Sequence, residues 1–385
     1  MTIYKVLPAP AWAAFQAQGT YHGSPVDLQD GYIHLSNAAQ IRGTLARHYR
    51  GQTDLRLVAV QTDGLEGALR WEASRGGDRF PHLYAPLPLS NTGEVWTVHV
   101  SDAGAITCDA DTGPLALSEG ERFLVDWHGQ KPGETARALA PLRDAEGRSS
   151  YDRLVAAMNP GDRVLDLCCG DGYLLERLLD AGAGTAAGLD LSPAELGAAA
   201  ARLGGRALLT QGRAQALPFP DGAFDLVTCH MAFMLLHPVE PVLQEIARVL
   251  APGGRFAAVV GHTSRSDSAW GQLVARLLPL SFRPIQLGDP RLHTAEGARA
   301  LLDGWGAVQV ETIDAQAAAS PAEIWAWLQG TYIPDLISAA DLAALETAFW
   351  AEIAPTAAGD QLRVEHSYRL IQATRPALSR LGGTG

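Results

Sequence analysis

The chain has 385 residues, 47% hydrophobic and 19% charged, a composition typical of a globular protein with two or three domains. Its formal net charge is −12 and only two of its 30 cationic residues are lysine, Lys5 and Lys131, which argues against duplex nucleic acid as a partner and against a P-loop. The four cysteines lack zinc-finger spacing, and there is neither a leader pattern nor an apolar run long enough to span a membrane; we therefore predict no metal site and expect a soluble, cytoplasmic protein that is not membrane-bound.

The first 107 residues are predicted to form a small α+β domain. Short β-branched runs at residues 55–60 and 94–100 indicate strands, and residues 37–49 indicate a helix with Ser36 as its N-cap. Residues 108–144 are polar and contain glycine and proline, so we assign them to a linker and entry helix.

Strand and helix patterns alternate from residue 145 onwards, which predicts an α/β domain over residues 145–375 with a mostly parallel sheet and a loose tail at 376–385. Residues 264–350 are predicted to be helices that select the substrate, and residues 364–374 to be an antiparallel edge strand. Trp325 and Leu328 share a helix face there, as core residues or as a wall of an acceptor pocket.

A buried strand runs into a glycine turn at Val164-Leu-Asp-Leu-Cys-Cys-Gly-Asp-Gly172. Asp190 ends the next predicted strand about 20 residues later, the place from which an acid holds ribose hydroxyls. A dinucleotide site needs a small residue three places after Gly172, where this chain has Leu175. The pattern therefore favours a nucleoside without phosphates over NAD.

Residues from about 145 to 262 resemble a class I S-adenosylmethionine-dependent methyltransferase. The resemblance rests on four motifs in order: Leu165-Asp-Leu-Cys-Cys-Gly-Asp-Gly, Gly188-Leu-Asp-Leu-Ser-Pro, Leu217-Pro-Phe-Pro-Asp-Gly-Ala-Phe-Asp-Leu-Val, and Leu243-Gln-Glu-Ile-Ala-Arg-Val-Leu-Ala-Pro-Gly-Gly254. It implies a Rossmann-like sheet and S-adenosyl-L-methionine as the cofactor.

The same resemblance implies a role for each matching residue. Asp166 is expected to accept from the methionyl ammonium, directly or through water, and Gly170 and Gly172 to line the methionine and ribose. Asp190 is expected to bind the ribose diol, with Leu191 against the adenine.

Two positions depart from the family pattern. Arg213 stands where relatives often have an acid that accepts from the adenine amino group; arginine has no acceptor, so it could stack on adenine instead, while Ala214 could offer its backbone N–H. Cys168 replaces a usual glycine, and for Cys168 and Cys169 a packing role is favoured over a catalytic thiolate.

The fourth strand ends at Cys229-His230-Met231, where substrates of this family usually meet the methyl group. Cys229 is expected beside the cofactor, and His230 could act as a general base or simply line the site. Tyr151 could cover the methionine end or pack in the core, and His237 is expected to cap a loop or helix.

The N-terminal segment, residues 2–105, resembles the bacterial domain of unknown function 952 family. The matching stretches are Asp30-Gly-Tyr-Ile-His-Leu-Ser36, Leu69-Arg-Trp-Glu72 and Phe80-Pro-His-Leu-Tyr84. The resemblance implies an ADP-ribosyltransferase-like fold and a candidate site whose members are His34, Arg70, Glu72, His82 and Tyr84. These residues could brace the fold, bind a small ligand or partner, or catalyse ADP-ribosyl transfer.

Taken together, the motifs predict a methyltransferase acting on a small-molecule acceptor, preceded by an accessory domain. The alternative is a binding or regulatory protein with a non-catalytic methyltransferase fold, or an NAD-related activity in the N-terminal domain. The replacement of the adenine acid by Arg213 is the feature that supports this alternative.

Overall fold

The computed structural model describes residues 2–38, 40–73, 79–102, 106–108, 113–262, 267–358 and 360–375. The tail assigned to residues 376–385 lies outside this range. The chain forms two compact units. The first contains the described residues up to Ser118 together with Gln215–Pro220, and the second contains Glu119–Ala214 and the chain from Asp221 onwards.

The first unit combines small antiparallel sheets with short helices. Its strands are Thr2–Pro8 (β1), Thr20–Tyr21 (β2), Ile33–His34 (β3), Leu55–Gln61 (β4), Leu69–Ala73 (β5), Arg79–Leu83 (β6), Leu87–Pro88 (β7), Thr92–Val100 (β8) and Ile106–Cys108 (β9). Its helices are Ala9–Gln18 (α1), Pro25–Asp30 (α2) and Ile41–His48 (α3). The strands pair as a four-stranded sheet in the order β1-β4-β8-β9, a three-stranded sheet in the order β3-β6-β5, and the pair β2-β7.

Helix α3 begins later than the predicted residue 37. Asn37 and Gln40 exchange side-chain to backbone hydrogen bonds of 2.9 and 3.1 Å, and Ser36 pairs with Tyr4 of β1. Because Ser36 belongs to this bridge, it does not serve as the helix N-cap.

The second unit is built on a seven-stranded sheet with helices along the chain between its strands. The strands are Arg163–Leu167 (β10), Thr185–Asp190 (β11), Leu208–Gln211 (β12), Phe224–His230 (β13), Leu250–His262 (β14), Gly306–Ala319 (β15) and Leu362–Thr374 (β16). Their spatial order is β12-β11-β10-β13-β14-β16-β15, and only the pairings made by β16 are antiparallel. The chain thus reverses its direction of travel across the sheet between β10 and β13, the position where ligands bind in open α/β sheets. The expected Rossmann-like fold of a class I methyltransferase is confirmed.

One detail of the predicted sheet is wrong. The antiparallel strand β16 is not an edge strand, because it lies between β14 and β15 and pairs with both. The edge is β15, in a region assigned to helices. Its sequence alternates exposed residues with partly or fully buried ones and carries several alanines, so it lacks the continuous β-branched run used to find the other strands.

The helices of the second unit include two in the segment that the sequence assigned to a linker and entry helix. They are Glu119–Gln130 (α4) and Glu134–Leu139 (α5). The others are Ser150–Val155 (α6), Tyr173–Asp180 (α7), Pro193–Leu203 (α8), Val239–Val249 (α9), Ala269–Leu277 (α10), Ala295–Leu301 (α11), Pro321–Gln329 (α12), Ile333–Leu336 (α13) and Ala339–Ala348 (α14). Within the described residues, none of the helices has both the length and the apolar character required to cross a bilayer.

Close packing at the centre of the sheet explains one of its glycines. A Cβ atom on Gly188 of β11 would lie 2.6 Å from Leu175 Cδ1 and 2.7 Å from Cys169 Sγ. Helix α7 therefore packs directly on the backbone of β11, which fixes the position of the glycine turn that precedes α7.

Candidate functional site

The candidate cofactor site begins at the turn between β10 and α7. Gly170 and Gly172 have φ angles of +53° and +77°, in the left-handed region that glycine adopts without steric penalty. Cys168 also has a positive φ, +57°, which explains why a glycine is the usual residue there. The turn lies at the carboxyl end of β10, where the resemblance places the cofactor.

Asp190 closes one side of this turn. Its carboxylate accepts from the backbone N–H of Gly170 at 2.9 Å and of Ser192 at 2.8 Å. Burial raises the pKa of Asp190, while these two hydrogen bonds act in the opposite direction. The partly exposed side chain is thus held in one orientation at the end of β11, and its remaining lone pairs can accept from a ligand hydroxyl.

Asp166 lies deeper, one residue before the end of β10. It is 2% exposed, and the Thr228 hydroxyl donates to its Oδ1 at 2.9 Å from the neighbouring strand β13. Burial raises the pKa of Asp166 to about 8, and the negative charges of Asp190 and Asp171 act in the same direction. A buried carboxyl group with this environment is a favourable partner for a cation, since the cation would compensate its charge.

The cysteines at the turn have the properties of packing residues. A hydrogen bond with Cys229 and burial raise the pKa of Cys168 well above its ordinary value, and burial does the same for Cys169. Thiols in this state are not nucleophilic at neutral pH. Cys229 is fully buried near the end of β13 and contacts Cys168, so it packs against the glycine turn.

The guanidinium of Arg213 forms an ion pair within the second unit. Its Nη2 pairs with Glu121 Oε2 of α4 at 2.6 Å, and both side chains are largely buried. Ala214 beside it is 3% exposed, and Leu191 accepts a hydrogen bond from Gln211 through its backbone carbonyl. The acid beside Arg213 is therefore Glu121, which α4 supplies, and the charge of Arg213 neutralises it.

His230 is enclosed at the end of β13. Its Nε2 is 2.8 Å from Ser150 Oγ, and its ring stacks on Tyr151 with a centroid distance of 3.8 Å. Burial lowers the pKa of His230 to about 3, and the nearby His366 acts in the same direction. The imidazole is consequently neutral at pH 7 and a weak base, which favours the lining role over proton transfer. Burial also raises the pKa of Tyr151, which packs edge-on against Tyr173.

The structure adds residues that the sequence reasoning missed. His366 of β16 has a buried Nε2 without a hydrogen-bond partner among the described residues, and burial together with His262 lowers its pKa to about 4. His128 of α4 joins Glu195 of α8 to Tyr332 through hydrogen bonds of 2.7 and 2.8 Å. No local pattern marks these residues, because the partners are far apart in the chain.

Trp325 and Leu328 belong to the hydrophobic core of the second unit. Both are buried, and the Trp325 ring stacks on Phe349 at a centroid distance of 5.4 Å. The packing interpretation is thereby favoured over an acceptor wall. His237 hydrogen-bonds Gln286 on the surface through Nε2.

In the first unit, the five candidate residues converge on one face of the sheet β3-β6-β5. His34 and Arg70 both pair with His82 across the strands, one from each side. Glu72 Oε2 is 2.9 Å from His82 Nδ1 and accepts from the Tyr84 hydroxyl at 2.8 Å. These two hydrogen bonds lower the pKa of Glu72. The guanidinium of Arg70 lies over the Tyr84 ring at 4.4 Å.

Two further side chains complete this cluster. Tyr32 stacks on His82 at a centroid distance of 4.2 Å and lies 5.2 Å from the Tyr84 ring. Asp27, which is 3% exposed, accepts from the backbone and Nδ1 of His34 and from Lys5 at 2.7–3.0 Å. Hydrogen bonds from His34 and the charge of Lys5 overcome the cost of burial and lower the pKa of Asp27. A buried ion pair thus fixes His34, while the aromatic rings and Glu72 remain partly exposed.

The fold and the two acids at the switch point define a class I methyltransferase fold in the second unit. Comparison with known families agrees: residues 165–258 match the family model described as methyltransferase domain, and residues 6–95 match the model described as protein of unknown function (DUF952). The chain therefore carries an N-terminal domain of the DUF952 family followed by a methyltransferase domain.

Several curated relatives match the methyltransferase region. An uncharacterized methyltransferase of Synechocystis is 41% identical over 119 residues, covering 30% of this chain and 55% of the relative. The 2-phytyl-1,4-naphthoquinone methyltransferase of Synechococcus elongatus is 40% identical, covering 28% and 49%, and the demethylmenaquinone methyltransferase of Symbiobacterium thermophilum is 42% identical, covering 37% and 61%. The chain spans about half the length of the curated relatives it matches.

Among solved structures, protein CC0527 from Caulobacter crescentus is 46% identical, with 28% of this chain and 94% of that chain covered and a TM-score of 0.27. The YcgJ protein from Bacillus subtilis is 19% identical, with 59% and 98% covered and a TM-score of 0.43.

Proposed function

We propose that the second unit binds S-adenosyl-L-methionine and transfers its methyl group to a small-molecule acceptor. The observation that carries this proposal is the placement of Asp166 and Asp190 at the carboxyl ends of adjacent strands, on either side of a glycine turn. Asp166 is buried and has no cationic partner among the described residues, which suits the ammonium of this cofactor. Asp190 is partly exposed and held by two backbone N–H groups, which suits the ribose diol.

The fit of the cofactor follows from the donors and acceptors present. Asp166 would hold the ammonium, since a bound cation would lower its raised pKa, and Asp190 would accept from the ribose hydroxyls. Gly170 leaves the backbone open to close approach, since a Cβ there would meet only the Glu195 carboxylate, with Oε2 at 3.8 Å, whereas Gly172 lets α8 pack on the turn, since a Cβ there would lie 3.1 Å from Ala199 Cβ. When bound, the cofactor supplies an electrophilic methyl group.

The chain's own residues orient the acceptor and exclude water. His230, Ser150 and Tyr151 form a neutral wall, in which a hydrogen bond of 2.8 Å joins His230 Nε2 to Ser150 Oγ. His366 Nε2 can accept a hydrogen bond from an acceptor hydroxyl, because it is neutral and without a partner among the described residues. Positioning of the nucleophile, rather than a strong base, would therefore carry the rate.

Labelled methyl transfer tests this proposal with the full chain. We expect methyl-labelled cofactor to yield labelled product with a member of an acceptor panel, and Asp190→Ala to lose this activity. Asp180→Ala is the matched control, because Asp180 is an exposed acid of α7 that pairs with Arg206. Because some relatives are named as quinone methyltransferases, the panel starts with reduced naphthoquinones. Binding of S-adenosylhomocysteine without transfer to any acceptor would support the non-catalytic alternative instead.

The convergence in the first unit supports a second candidate function, a small-ligand site at Tyr32, His34, Glu72, His82 and Tyr84. We propose that Glu72 is its acid, because His82 and Tyr84 orient one carboxylate oxygen and leave the other available. NAD and ADP-ribose are the first ligands to test on the full chain, by calorimetric titration. We expect saturable binding that is weaker in Glu72→Gln than in the wild type. Equal titration heats for Glu72→Gln and the wild type would show that Glu72 does not bind the ligand and would assign these residues to bracing the fold.

A further inference from the structure

Helix α8 begins with a hydrogen-bonding arrangement that differs from those of comparable helices in this chain. Ser149 with Asp152, and Ser320 with Glu323, form closed capping boxes in which the acid returns to the backbone N–H of the serine. At α8 the Ser192 N–H donates to Asp190 instead. The acid three residues after Ser192, Glu195, is thereby released from the helix start.

Glu195 uses its carboxylate to hold α4 and the start of α5. Its Oε1 is 2.7 Å from His128 Nδ1, and its two oxygens accept from the Gly133 N–H at 3.2 and 3.0 Å. Glu195 is only 2% exposed, so its charge is compensated within the protein by these contacts. His128 Nδ1 donates in this contact, since a carboxylate can only accept.

The other nitrogen of His128 forms a hydrogen bond with Tyr332. The distance from His128 Nε2 to the Tyr332 hydroxyl is 2.8 Å. Burial raises the pKa of Tyr332, with the charges of Asp190 and Glu195 acting in the same direction, so the phenol keeps its proton. Whichever partner donates in this bond, the Tyr332 oxygen keeps at least one lone pair with which it can accept from a further group.

The relay of hydrogen bonds that runs from Glu195 through His128 to Tyr332 lies against the glycine turn. A Cβ atom on Gly170 would lie 3.8 Å from Glu195 Oε2, and two hydrogen bonds join Glu195 through His128 to Tyr332. Trp127 packs edge-on against the Tyr332 ring at 4.7 Å and restricts its rotation. Two oxygen acceptors, on Asp190 and Tyr332, therefore occur at the same end of the candidate site.

We propose that Tyr332 is a second ribose-binding residue, which accepts a hydrogen bond from one ribose hydroxyl of the cofactor while Asp190 accepts from the other. His128 and Glu195 are positioning residues that fix the direction of the Tyr332 hydroxyl. The proposal rests on the proposed function, since it requires the cofactor to bind at the glycine turn.

Calorimetric titration of the full chain with S-adenosylhomocysteine tests the contact. We expect Tyr332→Phe to bind about three- to tenfold more weakly, as loss of one neutral hydrogen bond predicts. Tyr368→Phe is the matched control, because it removes a buried hydroxyl of β16 that has no partner among the described residues, and its binding should equal that of the wild type.

Deoxy analogues separate a direct contact from a structural effect. With one of the two analogues of S-adenosylhomocysteine, the 2′-deoxy or the 3′-deoxy compound, Tyr332→Phe should bind as tightly as the wild type, because that analogue lacks the hydroxyl that Tyr332 contacts. His128→Ala should follow the same pattern, which a merely structural role would not produce. Equal weakening for all three ligands, or no weakening by Tyr332→Phe, would overturn this inference. Failure of the wild-type chain to bind S-adenosylhomocysteine would instead overturn the proposed function.

Discussion

Substitution of Asp166 by asparagine should change how the stability of the ligand-free second unit depends on pH. Asparagine keeps the acceptor for Thr228 but cannot ionise. In the wild type, the pKa of Asp166 is raised to about 8, mainly by burial, so this acid binds more protons in the folded than in the unfolded state between its unfolded pKa and 8. Its contribution to the free energy of unfolding therefore falls as the pH rises through this window.

The size of the effect follows from the two pKa values. An unfolded aspartate titrates near 3.9, and each unit of difference corresponds to about 1.4 kcal/mol. Between pH 5 and pH 9, the free energy of unfolding of Asp166→Asn should rise relative to the wild type by about 4 kcal/mol. For a unit of this size, that corresponds to a relative shift in melting temperature of about 10 °C.

Scanning calorimetry at several pH values provides the measurement. The transition that belongs to the second unit is the one that S-adenosylhomocysteine shifts in the wild type. Asp180→Asn serves as control, since Asp180 is exposed and its substitution should leave the pH dependence unchanged. A stability difference between Asp166→Asn and the wild type that stays constant from pH 5 to pH 9 would refute this account of the buried carboxyl group.

Three other substitutions test the site. Because Cys168 has a positive φ, Cys168→Gly should be about 1 kcal/mol more stable to urea than Cys168→Ala, and the reverse order would contradict the left-handed turn. A double-mutant cycle of Arg213→Ala and Glu121→Ala should give a coupling of about 1–2 kcal/mol in unfolding free energy, whereas additive losses would show that the pair is not formed. Since the pKa of His230 is lowered to about 3, His230→Asn should leave the shape of the kcat/KM profile unchanged from pH 5 to pH 8; loss of an ionisation near pH 6 would restore His230 as the general base.

The parallel sheet and the glycine turn could be predicted because both depend on local sequence. A buried apolar run such as β10, followed by glycines and an amphipathic helix, carries its own signal. Strand β15 was missed because its sequence is rich in alanine and lacks a continuous β-branched run, and because its place in the sheet depends on pairing with β16.

The candidate sites could be predicted only in part, because many of their contacts join residues that are far apart in the chain. Asp166 and Asp190 belong to motifs, whereas the relay joins His128 to Glu195 across 67 positions and to Tyr332 across 204. In the first unit, the residue types suggested a site, but their convergence follows from the pairing of β6 with both β3 and β5. Arg213 was expected beside the cofactor from its place in the family pattern. Its pairing with Glu121 was not foreseen, because Glu121 lies on a helix that the sequence assigned to the linker.

Calorimetric titration of the full chain with S-adenosylhomocysteine tests the central claim most directly. The account predicts one binding site per chain, binding at least about tenfold weaker in Asp190→Ala, since the ribose would lose its charged acceptor, and unchanged binding in the control Asp180→Ala. Absence of binding by the wild-type chain, or equal affinity in Asp190→Ala, would contradict it.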